Sequence, residues 1–221
     1  MKVLIFGATG MVGQGVLREC LAAPDVENVV AIGRSATGIE NPKLKEIAHK
    51  DMSSYEGLDD QLTGFDACFF CLGVSSAGMS ESDYQRVTYD LTLAAAKTLS
   101  RLNPDMAFIY VSGMSTDSSE MGRVMWARVK GKTENALLRL PFHAWMFRPG
   151  IIQPMDGIKS KTPLYRAMYI LMTPLLTPLR WALPNMVVTT REIGQAMLAV
   201  ARFGYGSRIL ETKDIRAVLR P

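Results

Sequence analysis

The chain has 221 residues, of which 48% are hydrophobic and 21% charged, so it is neither disordered nor fibrous and can bury a core without disulfides or metals. The 25 Lys and Arg against 21 Asp and Glu leave a net charge of +4 with no block of like charges, which suits an anionic small molecule. The 3 cysteines and the absence of a secretory leader suggest a reducing compartment, and the expected location is the cytoplasm.

Two periodicities alternate. Lys2–Phe6 is short, apolar and β-branched, the pattern of a buried parallel strand. After a glycine-rich turn, Met11 to Ala23 carries Val12, Val16, Leu17 and Cys20 at helical spacing until Pro24 stops it. Strands are expected at Glu27 to Gly33, weakly at Leu44 to Ala48, and strongly at Asp66 to Leu72. A long helix, Glu81 to Leu102, precedes a fifth strand at Met106 to Ser112. Gly122 to Leu140 reads as another helix and His143 to Arg148 as a sixth strand closed by Pro149-Gly150. This order predicts an α/β, Rossmann-type, doubly wound parallel sheet with helices on both faces.

Beyond residue 153 prolines become frequent, and residues 154–206 are expected to form a small C-terminal helical lobe on a single domain spanning 1–221. Leu164 to Leu183 is long and apolar, but Arg166, Arg180, Pro174 and Pro178 interrupt it and argue against a membrane span. A cap over a ligand cleft is the expected use, with a homodimer contact as the alternative. Thr189-Thr-Arg-Glu192 fits a capping box opening a helix that Gly204 ends, and Ser207 to Glu211 suits a last strand.

The strongest motif is Gly7-Ala-Thr9-Gly10-Met11-Val12-Gly13, placed between a strand and a helix. Gly7 allows a tight turn, Gly10 lets the backbone approach a pyrophosphate, and Gly13 lets the helix pack close to the strand. The helix N-terminus then offers free N–H groups to phosphates. In NAD-specific sites a carboxylate ends the second strand, whereas here the strand ends Gly33-Arg34-Ser35. Arg34 is therefore expected to pair with a 2′-phosphate, so that NADP(H) is preferred to NAD(H). Cys71, Leu72 and Gly73 end the fourth strand and should run along the cofactor. Cys68 and Cys71 lie three apart on a strand and point to opposite faces, so they read as core residues. No residue set has metal spacing, no nucleophile elbow exists, and no nucleic-acid module is recognisable.

The GxxGxxG spacing, with Thr9 before Gly10, resembles the short-chain dehydrogenase/reductase superfamily. Leu72-Gly73, Val129-Lys130-Gly131 and Phe147-Arg148-Pro149-Gly150 resemble its small atypical members, the Tat-interacting-protein-like oxidoreductases. The resemblance implies that Asp51-Met52 lies beside the adenine, that Pro149 and Gly150 meet the nicotinamide side, that Lys130 holds the ribose and that Ser112 polarises a substrate oxygen. It also exposes a departure: Trp126 stands where the superfamily's Tyr-x-x-x-Lys pair has its tyrosine. An indole N–H donates a hydrogen bond but cannot serve as the acid. Trp126 remains suited to holding a substrate oxygen or covering the nicotinamide. The implied function is an NADP(H)-binding oxidoreductase acting on a small, fairly apolar carbonyl or alcohol. The alternative is a non-catalytic NADP(H)-binding redox sensor with a regulatory protein partner. A sugar-nucleotide epimerase is the weaker reading, because the chain is short for the substrate domain such enzymes carry.

Overall fold

The computed structural model describes residues 1–158 and 185–220. In chain order the elements are β1 (Lys2–Phe6), α1 (Met11–Ala22), β2 (Asn28–Gly33), β3 (Leu44–Ala48), α2 (Asp59–Leu62) and β4 (Ala67–Phe70). There follow α3 (Glu81–Gln85), a π-helical turn (Arg86–Asp90), α4 (Leu91–Leu102), β5 (Ala107–Val111), α5 (Met125–Leu137) and β6 (His143–Arg148). The last are β7 (Ile151–Gln153), β8 (Val187–Thr189), α6 (Thr190–Phe203), β9 (Ile209–Glu211) and α7 (Thr212–Ala217).

Seven parallel strands form one sheet in the order β3-β2-β1-β4-β5-β6-β9. The order reverses between β1 and β4, and crevices at such a switch point are where open α/β sheets bind ligands. The apolar runs make this sheet because alternate residues have a buried face to go to on either side. Val3, Ile5, Phe69, Ile109 and Phe147 join one core with α1 and α6. Leu4, Phe6, Cys68, Phe70, Phe108 and Met146 join the other with α4. Phe6, Phe70, Phe108 and Phe142 stack across that second face with centroids 5.0, 5.8 and 4.8 Å apart.

The predicted strands and helices are present, trimmed at their ends. The long helix expected over Glu81 to Leu102 contains the π-helical turn, whose i→i+5 bonding leaves no mark in the apolar period. Thr189 and Glu192 form the expected capping box, and Gly204, at φ +68°, ends α6. Of the lobe expected over residues 154–206, residues 159–184 lie outside the described residues, and α6 is the main part that is described. α6 packs on α1 so closely that a Cβ on Gly15 would lie 2.7 Å from Thr190 Cβ, and one on Gly194 2.8 Å from Glu19 Cγ. Residues 187–203 therefore belong to the main body, and β8 pairs with β7 beside it. Residues 159–184, including the apolar run at 164–183, lie outside the described residues. Among the described residues no helix is long and apolar enough to cross a membrane.

Cys68 points into the α4-side core and Cys71 packs against the α1-side core, the opposite faces that their spacing predicted. Burial drives the thiols of Cys20, Cys68 and Cys71 above the ordinary value of 9.0, Cys71 to about 12. A group whose folded pKa is raised contributes stability that is complete below its unfolded pKa and lost as pH rises toward the folded value. The urea midpoint is accordingly expected to fall as pH rises above about 9. Cys68→Ala should flatten that fall in a pH series of urea unfolding curves, and an unchanged slope would contradict the assignment.

Candidate functional site

The glycine turn lies at the C-terminal end of β1, at the switch point. Gly7 has φ +77°, and a Cβ there would stand 2.7 Å from the main chain of Cys71 and Leu72. The turn is thus pressed against the end of β4, whose ladder continues one bond further through Cys71 N–H donating to Phe6 O. A Cβ on Gly13 would lie 2.1 Å from Gly7 O, so only glycine lets α1 start this close to the strand. Gly10 differs: its Cβ would meet only Gly7 O, at 3.3 Å, so the space above it is open. No side chain caps α1 and its first turn holds no acid, which leaves the N–H groups of Met11, Val12 and Gly13 facing outward without a competing carboxylate. Thr9 O is tied down by Gln14 Nε2 at 3.1 Å. These residues fit a dinucleotide pyrophosphate: a cradle without side chains at the positive end of a helix.

Arg34 is exposed just past β2, with no carboxylate partner among the described residues. Asp51 is exposed and accepts hydrogen bonds from Ser53 N at 3.0 Å and Ser53 Oγ at 2.5 Å. Those bonds hold its carboxyl below the usual carboxylate range. Met52 does not extend an adenine platform with its side chain, which is 6% exposed and packed into the α4-side core. Leu72 packs partly on the same core, while Gly73 has open space around its Cβ position.

At the same C-terminal end of the sheet, α5, which follows β5, carries Trp126 and Lys130 four residues apart and hence on one face. Gly131 lets the 113–122 loop approach this helix, because a Cβ there would lie 1.8 Å from Asp117 O. Lys130 Nζ donates to Ser112 O at the end of β5. Burial lowers its pKa from 10.5 to about 8, and Glu134 opposes that shift. Trp126 is half-buried in the first turn of α5.

Ser112 is not arranged as its expected role requires. It is 7% exposed, and its hydroxyl donates to Glu134 Oε1 at 2.5 Å, with Phe147 O an alternative acceptor at 3.1 Å. A hydroxyl has one hydrogen, so this one is committed to a carboxylate and not aimed at a substrate. Glu134 is fully buried; Arg148 Nε reaches its two oxygens at 3.1 and 3.2 Å, and Arg148 Nη2 also donates to it. Arg148 also donates to Ser118 Oγ at 2.6 Å and to Glu211 Oε1 at 3.4 Å. Glu134 and Arg148 were not among the expected site residues. Their signal was faint: a glutamate one turn after Lys130, and an arginine closing an apolar strand. Pro149 and Gly150 follow, with Pro149 O accepting from Met114 N at 2.9 Å and Gly150 N–H donating to Thr212 Oγ1 at 2.8 Å. A Cβ on Gly150 would meet Met186 O at 2.4 Å.

A parallel sheet in this strand order, with a glycine cradle at its switch point, defines a dinucleotide-binding Rossmann-type domain. The chain belongs to the NAD dependent epimerase/dehydratase family, whose profile matches residues 3–124. It is 28% identical over 166 residues to Protein fmp52-2, mitochondrial, of Aspergillus terreus, covering 74% of this chain and 71% of that one. It is 28% identical over 155 residues to Protein HTATIP2 of Rattus norvegicus, covering 68% of this chain and 62% of that one. The Bordetella bronchiseptica enzyme WbmF, solved in complex with NAD+, shares the fold at 13% identity and a TM-score of 0.66, over 98% of this chain and 76% of that one. These findings bear out the resemblance to atypical short-chain dehydrogenase/reductase-like proteins and the NAD(P)-binding oxidoreductase fold. They overturn the cytoplasmic expectation: the Aspergillus relative, and others from Candida albicans and Scheffersomyces stipitis, are named mitochondrial.

Proposed function

We propose that the chain is an NADP(H)-dependent oxidoreductase that interconverts a small, fairly apolar carbonyl compound and its alcohol. The observation that carries this reading is the open space over Gly10 at an uncapped helix N-terminus, with Lys130 bonded to Ser112 O at the same end of the sheet. Gly7, Gly10 and Gly13 shape the pyrophosphate cradle, and Arg34 supplies the charge for a 2′-phosphate. Lys130 reaches the nicotinamide ribose. Ser112, held by Glu134, fixes the end of β5 instead of polarising the substrate, while Trp126 forms an apolar wall beside it. When bound, the nicotinamide supplies or accepts a hydride.

Arg34 gives a direct test. A charge-assisted contact contributes about 1.5–3 kcal/mol, so Arg34→Ser is expected to weaken NADPH binding by ~10–100-fold and to leave NADH binding unchanged. Equal losses for the two cofactors, measured by fluorescence titration, would remove Arg34 from the specificity argument.

A second reading, a non-catalytic NADP(H)-binding redox sensor with a protein partner, is favoured by Trp126 alone. Trp126→Tyr separates the two. Reductase activity that appears only in this variant supports the sensor, whereas activity already present in the wild type supports the enzyme.

A further inference from the structure

We propose that Lys130 is the proton donor of this site, giving the substrate oxygen the proton that Trp126 cannot supply. The inference rests on the oxidoreductase reading above and deepens it. Elimination among the described residues leads there. Ser112 is bound to Glu134, and Glu134 is buried beneath Arg148. Burial pushes the phenols of Tyr84 and Tyr110 up and the thiol of Cys71 to about 12. Tyr89 lies under Lys132, with Nζ 4.8 Å from the ring centroid. Lys132 is two residues from Lys130, about 200° around the helix, so Tyr89 faces the other side of α5. His143 begins β6, at the N-terminal end of the sheet opposite the glycine turn, and His49 Nε2 lies 2.6 Å from Ser54 O.

Lys130 meets the requirements that the others fail. It shares a helix face with Trp126 and reaches the end of β5, and the residue as a whole is half-buried. Its ammonium titrates near pH 8, close to where a general acid works best. Glu134, on its own helix, holds that value up. The other charged groups on elements packed against α5 are mostly engaged elsewhere. Arg148 is tied to Glu134, Arg128 to Glu81, Arg86 to Asp83 and Arg101 to Asp59. Asp117 is bonded to Ser119 and Gly122, and Glu120 to Asn135. Asp90, Lys97 and Arg123 are exposed.

The step balances. The hydride would come from a reduced nicotinamide cofactor held by the glycine cradle, leaving that cofactor oxidised. Lys130 loses an Nζ–H proton to the substrate oxygen, and the carbonyl π pair becomes the new O–H bond while the carbon gains a C–H bond. Water then re-protonates the amine.

The test uses the full chain, isotope-labelled at lysine Cε and followed by NMR against pH, beside NADPH binding and turnover of benzaldehyde, cyclohexanone and a quinone. One lysine is expected to titrate near pH 8, to be absent from Lys130→Arg and to move lower in Glu134→Gln. Lys130→Arg keeps the positive charge but cannot release a proton, so its turnover should be at least ~100-fold slower even at NADPH concentrations that saturate the variant. Wild-type turnover should fall as pH rises through about 8. Lys130→Met replaces Lys130→Arg if the arginine variant does not fold. The proposal is overturned if every lysine titrates above about 10, if Lys130→Arg retains the wild-type rate and pH profile, or if the wild type binds NADPH and turns over none of the probes. Failure of both wild type and variant to bind NADPH would instead reject the dinucleotide reading beneath it.

Discussion

Gly13→Ala is expected to abolish dinucleotide binding and to destabilise the fold. The added methyl would sit 2.1 Å from Gly7 O and 2.9 Å from Ala8 Cα, both main-chain atoms that cannot swing aside. Either α1 moves away from β1 or the turn reshapes, and overpacking of this kind costs about 1–3 kcal/mol. The same displacement takes the α1 N–H groups off the pyrophosphate, and two such bonds lost correspond to ~100-fold or more in affinity. Gly10→Ala is the informative companion. Its backbone, at φ −79°, accepts alanine and its nearest contact is 3.3 Å, so stability should hold while the methyl fills the pyrophosphate space. Urea unfolding and NADPH titration on the two variants separate a packing role from a binding role. Equal affinity loss with equal destabilisation in both would contradict the open cradle at Gly10.

Glu134→Ala is expected to be the most destabilising single substitution near the cleft. It leaves the Arg148 guanidinium without its buried carboxylate, with only Glu211 at 3.4 Å, and frees the Ser112 hydroxyl. Breaking a buried pair by removing one partner costs about 3–5 kcal/mol, a large part of the ~5–15 kcal/mol that holds a domain folded. Replacing both partners, as Glu134→Leu with Arg148→Met, should recover much of that loss, because no buried charge is then stranded. Urea midpoints of the single and double variants check this. A Glu134→Ala midpoint within about 0.5 kcal/mol of wild type would show that the network is not what holds β5, β6 and α5 together.

The sheet and the phosphate turn were legible because their signals are local. Lys2–Phe6 can only bury its run between two faces, and Gly7, Gly10 and Gly13 sit at fixed offsets between a strand and a helix. The Trp126–Lys130 relation follows from helical spacing alone. Ser112 was different: the sequence puts its hydroxyl at the end of a strand but does not say where the hydroxyl points. Its partner, Glu134, comes from a helix 22 residues later, and the ion pair that holds Glu134 comes from a further strand. Met52 looked like a loop residue beside the adenine, yet its side chain turned inward beside Tyr55 and Leu62 in the core. The short β7 and β8 were also unreadable, since three-residue strands carry no period and owe their existence to each other. The packing of α6 on α1 was hidden for a related reason. Proline frequency marks a change of texture, but the close approach of Gly194 to Glu19 returns α6 to the body of the domain.

The central claim, an NADP(H) site built on the glycine cradle and Arg34, is tested most directly by titrating the purified chain with NADPH and NADH and following energy transfer from tryptophan. Micromolar or tighter NADPH binding, with NADH at least about tenfold weaker, is the predicted result and corresponds to at least ~1.4 kcal/mol of discrimination. Failure of both dinucleotides to bind at micromolar concentrations would contradict it and leave the glycine turn a purely structural device.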